Sequence, residues 1–380
     1  MSQHNKLFIL AGEASGDLHG SNLVRSLLNS GGSLDIKGWG GENMLAAGVQ
    51  ILKPIEELSF MGFTEVLLNI RSILRNFNDC KEQINAFKPD AVILIDYPGF
   101  NLRMAKWLKR KGYKVIYYIS PQIWAWKEKR VELIKKYVDR MLVILPFEKD
   151  FYQKHGVEAD YVGHPLLEAI ANRSVSEGQI DIAIPSNQPL VAILPGSRKQ
   201  EIKSLLPTML ETAVNFKDTH FAIAAAPGIP EEFYNDIIAD RIKNGTSKVS
   251  IIKNATYDLL HQADAAMVCS GTATLETALF KVPQVVCYKA NTISYAIAKR
   301  LVKVKYISLV NLILDKPFLS ELIQDDFNSQ MLSKELDKCL SPRHHIYFKT
   351  NYDELSHVLK AETFASDNAA RIIMDVINPV

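Results

Sequence analysis

The sequence predicts an α/β protein built as two Rossmann-like domains facing a cleft. Three observations carry that expectation. Short β-rich apolar runs recur along the chain, each ending in a turn and followed by a segment of helical periodicity, which is the pattern of parallel strands covered on both faces by helices. The chain has 380 residues, more than one ordinary core accommodates. The series also pauses between Leu166 and Gln188, where periodicity lapses, and this pause is the natural linker.

The expected strands are Leu7–Leu10, Ala91–Ile95, Val115–Ile119, Met141–Leu145, Leu190–Leu194, Phe221–Ala225, Val249–Ile252, Ala265–Val268 and Val285–Tyr288. They divide the chain into a first domain at residues 1–167 and a second at 188–345. Residues 346–380 form a tail of helical periodicity, expected to pack back on the first domain or to meet a partner chain. A closed (β/α)₈ barrel is the structural competitor.

Composition sets broad limits. Hydrophobic content of 47% and charged content of 23% are those of a globular protein rather than a disordered one. A formal charge of +2, from 44 basic and 42 acidic side chains, gives no reason to expect nucleic acid. Cys80, Cys269, Cys287 and Cys339 are far apart and make no metal-type pairs, so reduced cysteines in a cytoplasmic setting are expected. The opening run Leu7–Ala11 is too short for a signal segment, and no run approaches the roughly 18 apolar residues of a membrane span.

In open α/β sheets ligands sit beyond the C-terminal ends of the strands, so the residues following each strand are the candidates. After the first strand come Gly12, Glu13, Ala14, Ser15, Gly16 and Asp17. Glycines at a strand-to-helix junction let backbone N–H groups approach a ligand. Glu13 and Asp17 would repel a phosphate, and a sugar with its hydroxyls suits them better. After Ala91–Ile95 comes Asp96, which can serve as a general base on a hydroxyl or as a turn and capping residue beside Pro98.

After Leu190–Leu194 comes PGSRKQEI. Pro195 and Gly196 shape a turn, Ser197 can cap, and Arg198 emerges beside a helix N-terminus, a combination suited to a diphosphate. A surface arginine in a capped turn is the plain alternative. After Ala265–Val268, the small residues Ser270, Gly271, Thr272 and Ala273 open a helix, and Glu276 one turn later can reach ribose hydroxyls. The same letters also spell a capping box from Thr272 or Thr274.

Neither half carries a dinucleotide fingerprint or a P-loop, and no His or Cys cluster suggests a metal, so neither metal nor cofactor is expected. His19 and His164, beside promising loops, are read as structural. Ser15 lies in no nucleophile elbow. From Phe60 to Phe77, apolar residues at Phe63, Val66, Leu67, Ile70, Ile73, Leu74 and Phe77 make one helical face, with Met61 and Leu68 widening it. A core helix and an interfacial helix dipping into a bilayer are both open there. A second stretch, around Arg103–Lys114 and Lys127–Arg130, is basic with few acids.

Taken together, GEASGD (12–17), IDYPGFN (95–101), SPQIWAW (120–126), LPFEKDFY (145–152), VGHP (162–165), LPGSRKQEI (194–202), SGTATLE (270–276) and KRLVKVKYISLVNLI (299–313) resemble the lipid-A-disaccharide synthase family. The resemblance implies an inverting, metal-independent glycosyltransferase of the two-Rossmann-domain (GT-B) type in Gram-negative lipid A synthesis. It would join UDP-2,3-diacylglucosamine to the 6-hydroxyl of 2,3-diacylglucosamine 1-phosphate, giving a β-1,6 disaccharide 1-phosphate and UDP. By the same resemblance Asp96 is the candidate base and Gly12–Asp17 lines the sugar side. Ser197, Arg198 and Ser270–Ala273 would hold the UDP phosphates, Glu276 would lie near the ribose, and Asn311 in the nucleotide site. Because both substrates carry acyl chains, the patch Phe60, Met61, Phe63, Val66, Leu67, Ile70 and Leu74 is expected to touch the cytoplasmic face of the inner membrane. A homo-oligomer is compatible with the sequence.

Overall fold

The computed structural model describes residues 4–31, 33–58, 70–172, 188–241, 248–291, 295 and 304–378. Two compact units emerge, one of Met1–Ala169 with Leu359–Val380 and one of Ile170–Val358.

The first unit is built on β1 (His4–Ala11), β2 (Ser33–Gly40), β3 (Gln50–Pro54), β4 (Ala91–Ile95), β5 (Lys114–Tyr118), β6 (Arg140–Val143) and β7 (Ala159–Tyr161). These strands pair in parallel in the order β3-β2-β1-β4-β5-β6-β7. Successive side chains of a strand point to opposite faces, and here both faces are covered. Phe8, Leu10, Val92, Leu94 and Tyr117 enter one core, while Leu7, Ile9, Ile93, Ile95 and Tyr118 enter the other. This two-sided burial is why the strands read as unbroken apolar runs.

The second unit contains β8 (Leu190–Leu194), β9 (His220–Ala225), β10 (Lys248–Lys253), β11 (Ala265–Cys269), β12 (Gln284–Tyr288) and β13 (Glu321–Ile323). Its parallel order is β10-β9-β8-β11-β12-β13. Each sheet therefore starts in the middle, winds outward in one direction and then restarts on the other side of its first strand. All nine expected strands are present, and β2, β3, β7 and β13 are additional.

The expected 346–380 tail divides between the two units. The helix His345–Leu359 belongs to the second unit up to Val358. Its Tyr352, fully buried, donates its hydroxyl to the Val282 carbonyl at 2.8 Å. The last helix, Ala365–Ile377, belongs to the first unit and buries Ala365, Ala369, Ile373 and Ile377 in the core that holds Leu23, Val24 and Leu27. Small residues at four-residue spacing allow close approach to the helix Ala14–Asn29, where Ser26 donates to Asp367 at 2.7 Å. Most of the expected linker, at 173–187, lies outside the described residues.

Candidate active site

Each sheet has one place where neighbouring strands lead off in opposite directions, and there the loops leave a natural crevice. In the first unit it lies between β1 and β4, and in the second between β8 and β11. The loops leaving these four strands carry Gly12–Asp17, Asp96, Ser197–Arg198 and Ser270–Ala273. The segments chosen from sequence are thus the four switch-point loops.

In the first unit, β4 ends in two consecutive left-handed residues, Asp96 (φ 42°) and Tyr97 (φ 45°). Residues other than glycine enter this region at a cost and stay only where the surroundings hold them. The holders are visible. The Asp96 N–H donates to the Tyr118 carbonyl at 3.1 Å. Its carbonyl accepts the Tyr117 hydroxyl at 2.5 Å and the Asn101 side-chain amide at 2.8 Å. The helix Pro98–Arg110 is preceded by Tyr97 at its N-cap with no side-chain cap, so Asp96 does not serve as the cap. The Tyr97 ring lies over Gly12, where a Cβ would come within 2.4 Å of it.

Burial first, and the charge of Glu13 second, push the Asp96 carboxyl up from 3.8 to about 6, against the pull of the Tyr97 N–H. A carboxylate poised near neutrality can take a proton from a hydroxyl and give it up again. Glu13 and Ser15 are exposed at the start of the helix Ala14–Asn29, and Gly16 packs against Ala11.

Asp17 has a different role from the one expected. It is buried, and its two oxygens accept the Gly41, Asn43 and Met44 N–H groups and the Asn43 side-chain amide at 2.7–3.1 Å. The carboxylate therefore anchors the short helix Glu42–Ala46, and its acceptor sites are taken up there rather than by sugar hydroxyls. His19 and His164 are held neutral by burial, which brings them down to about 4 and about 3, and the charge of His19 adds to the lowering at His164. The motifs after β5 and β6 are tied together by the buried Glu148, which accepts the Leu145 N–H and the Trp124 indole N–H, both at 3.0 Å.

In the second unit, a pocket of about 500 Å³ is lined by residues from all three strand ends β8, β9 and β11. Gly196, Ser197, Arg198, Ser270–Ala273 and Glu276 line it together, along with the small wall Ala224–Pro227, which sequence did not single out. Glu276 is part-buried and accepts the Tyr257 hydroxyl at 2.9 Å, so it does not close a capping box. At the other turn Arg198, not Ser197, is the N-cap, and Glu201 accepts the Ser197 and Arg198 N–H groups at 3.1 and 3.2 Å. Neither Glu201 nor Tyr257 was singled out from sequence. Glu201 had a signal, since it stands three residues after the cap position.

Asn311 is corrected. It is buried outside this pocket lining, with its amide donating to Leu319 O and Glu321 (both 2.9 Å) and its oxygen accepting the Leu319 N–H at 2.8 Å. Its side chain fastens the approach to β13. Among the described residues no group of three or more His, Cys, Asp or Glu side chains is placed to hold a metal ion.

Of the apolar patch, Phe60, Met61, Phe63, Val66 and Leu67 lie outside the described residues. Ile70 begins the helix Ile70–Phe87, on which Leu74 is 57% exposed while Phe77, Cys80 and Ile84 are buried in the core. Among the described residues no helix is long and apolar enough to cross a membrane.

Comparison with known proteins bears on both family and fold. A family model described as lipid-A-disaccharide synthetase matches residues 7–377. The chain is 42% identical to the lipid-A-disaccharide synthase of Syntrophus aciditrophicus over 357 residues, covering 93% of this chain and 92% of that one. It is 36% identical to the lipid-A-disaccharide synthase of Coxiella burnetii (strain CbuG_Q212) over 382 residues, covering 98% and 99%. Among solved structures, the fold resembles UDP-GlcNAc 2-epimerase from Neisseria meningitidis (TM-score 0.62, 12% identity, 98% and 99% covered). It also resembles the calicheamicin glycosyltransferase CalG4 (TM-score 0.61, 13% identity, 100% and 99% covered). At such identities the structural likeness speaks for the fold alone, two Rossmann-like α/β units of the GT-B kind.

Proposed function

The chain belongs to the lipid-A-disaccharide synthase family, and from that premise we propose that it is a glycosyltransferase moving 2,3-diacylglucosamine from its UDP donor to the 6-hydroxyl of 2,3-diacylglucosamine 1-phosphate. The product is a β-1,6-linked disaccharide 1-phosphate, and UDP leaves. The observation that carries this reading is the desolvated Asp96 carboxyl at the switch point of the first sheet.

The reaction is a single in-line displacement. The acceptor 6-oxygen forms a bond to the anomeric carbon as the bond from that carbon to the diphosphate oxygen breaks, which converts an α linkage to a β one. The hydroxyl proton passes to Asp96. Charge gathering on the departing diphosphate is met by Arg198 and by the start of the helix Thr272–Leu279, so these residues supply the positive potential without a metal. Glu276, steadied by Tyr257, is suited to ribose hydroxyls.

The substrates' acyl chains place the work at a lipid surface, and the stretch from Phe60 to Leu74 is the segment we assign to the cytoplasmic face of the inner membrane. Sedimentation with anionic vesicles tests that assignment, and a Val66→Ser/Leu67→Ser variant that sediments as fully as wild type would remove it.

The reaction itself is tested by mass spectrometry of products from the two proposed substrates, with and without EDTA. Disaccharide 1-phosphate with equimolar UDP, unaffected by the chelator, is expected. UDP without disaccharide would mean hydrolysis, and loss of product in EDTA would overturn the metal-free mechanism.

A further inference from the structure

The turn after β8 supplies what a diphosphate needs, yet its donors are already engaged by the chain itself. Glu201 Oε2 accepts the Ser197 and Arg198 backbone N–H groups, and Oε1 accepts from Arg198 Nη1 at 3.3 Å. The fit is close. Gly196 adopts φ 113°, and a Cβ there would come within 2.7 Å of Glu201 Oε2. The charge of Glu201 is also felt across the pocket. The Cys269 thiol, at the end of β11, is pushed up to about 12 by burial first and by Glu201 second.

This bonding pattern is that of an anion in a helix N-terminus, two amides and one guanidinium on a pair of oxygens. A carboxylate in that position opposes the approach of a phosphate on like-charge grounds and holds the Arg198 guanidinium turned toward itself. The Arg198 side chain is otherwise 69% exposed, so it is free to swing once released.

We propose that Glu201 is a displaceable internal anion, standing on the Ser197 and Arg198 amides and the Arg198 guanidinium until the diphosphate of a uridine nucleotide takes them over. This rests on reading the pocket as a UDP site. Its consequence is kinetic as well as thermodynamic: Glu201 weakens nucleotide binding and hastens release of UDP by reclaiming the donors. It is a positioning residue acting through Arg198.

The experiment is titration calorimetry of UDP into the full-length protein and its Glu201→Gln variant, with KM for the UDP-sugar and kcat measured alongside. The amide oxygen of Gln keeps an acceptor for the turn but removes the charge. UDP is expected to bind about tenfold more tightly to Glu201→Gln, with a lower KM for the donor and a lower kcat as release slows. A purely structural cap would give equal or weaker UDP binding, and either result overturns the proposal. Should the variant not fold, a structure of the wild-type UDP complex decides. Glu201 beyond hydrogen-bond reach of both amides supports displacement, and both bonds persisting beside bound UDP overturns it. No UDP binding to the wild-type protein would instead remove the nucleotide reading itself.

Discussion

The Tyr117 hydroxyl donates to the Asp96 carbonyl at 2.5 Å, so the candidate base is held by the strand next to its own. Tyr117 is fully buried, and its hydroxyl bond holds a left-handed residue in place. Tyr117→Phe removes that bond while keeping the ring. Because Asn101 still donates to the same carbonyl, the stability loss is expected to be about 1 kcal/mol. Turnover is more sensitive, since small displacements of a reacting group are costly, and a roughly tenfold fall in kcat with unchanged UDP affinity is expected. Steady-state kinetics with UDP titration check this. A fall in UDP affinity with normal kcat would assign Tyr117 elsewhere.

Asp96→Asn is expected to lower turnover about 10²–10⁴-fold while UDP still binds. The raised carboxyl makes two further outcomes calculable. As a base Asp96 must be ionised, so the acidic limb of kcat/KM should lie near pH 6. The folded protein also holds this proton more tightly than the unfolded chain, from 3.8 to about 6, so its stabilising effect is complete below the lower value and lost as pH rises through the upper one. At pH 7–8 the buried charge is therefore a cost, and Asp96→Asn should be no less stable than wild type there. Glu13 is the second cause of the shift, so Glu13→Gln should move the activity limb below pH 6. A limb that stays in place would show that burial alone sets it.

Asp17→Ala is expected to act on stability. It strips the Gly41, Asn43 and Met44 N–H groups of their acceptor, and buried donors left alone are expensive. A loss of about 3 kcal/mol in urea unfolding is expected. A variant of normal stability but altered sugar affinity would restore Asp17 to the ligand.

Which features were legible in the sequence follows from where each partner lies along the chain. Strands such as β4 and β8 are buried on both faces and so appear as continuous apolar runs, with glycines and polar residues marking where they end. β2 is hidden because Asp35, Lys37 and Gly38 interrupt it, and β13 because three residues carry no period. The switch-point loops were legible because chemistry collects at strand ends. Asp17 and Asn311 were misread for one reason: a polar residue in a motif looks the same whether its partner is a ligand or a distant backbone. Asp17 is satisfied from Gly41 to Met44, and Asn311 from Leu319 to Glu321. Of the left-handed pair, Asp96 is of a type enriched in that conformation, but Tyr97 is not, so the pair as a whole carried little signal in composition.

Gly12 shows how that pair is tied to the neighbouring loop. With a Cβ at 2.4 Å from the Tyr97 ring, Gly12→Ala forces the ring aside, and Asp96 is bonded in sequence to the residue that must move. Overpacking of this kind costs about 1–3 kcal/mol. The expected result is that loss, together with a fall in kcat larger than that of Tyr117→Phe, because the clash displaces the dipeptide while Tyr117→Phe only loosens it. The double variant Gly12→Ala/Tyr97→Ala separates the causes, since deleting the ring opens the space the methyl needs. If the contact is the cause, the double variant is more stable than the sum of the two single losses, a positive coupling between neighbours. Additive losses in urea unfolding would instead mean that Gly12 is required for its own backbone, and that the two switch-point loops are not coupled through the Tyr97 ring.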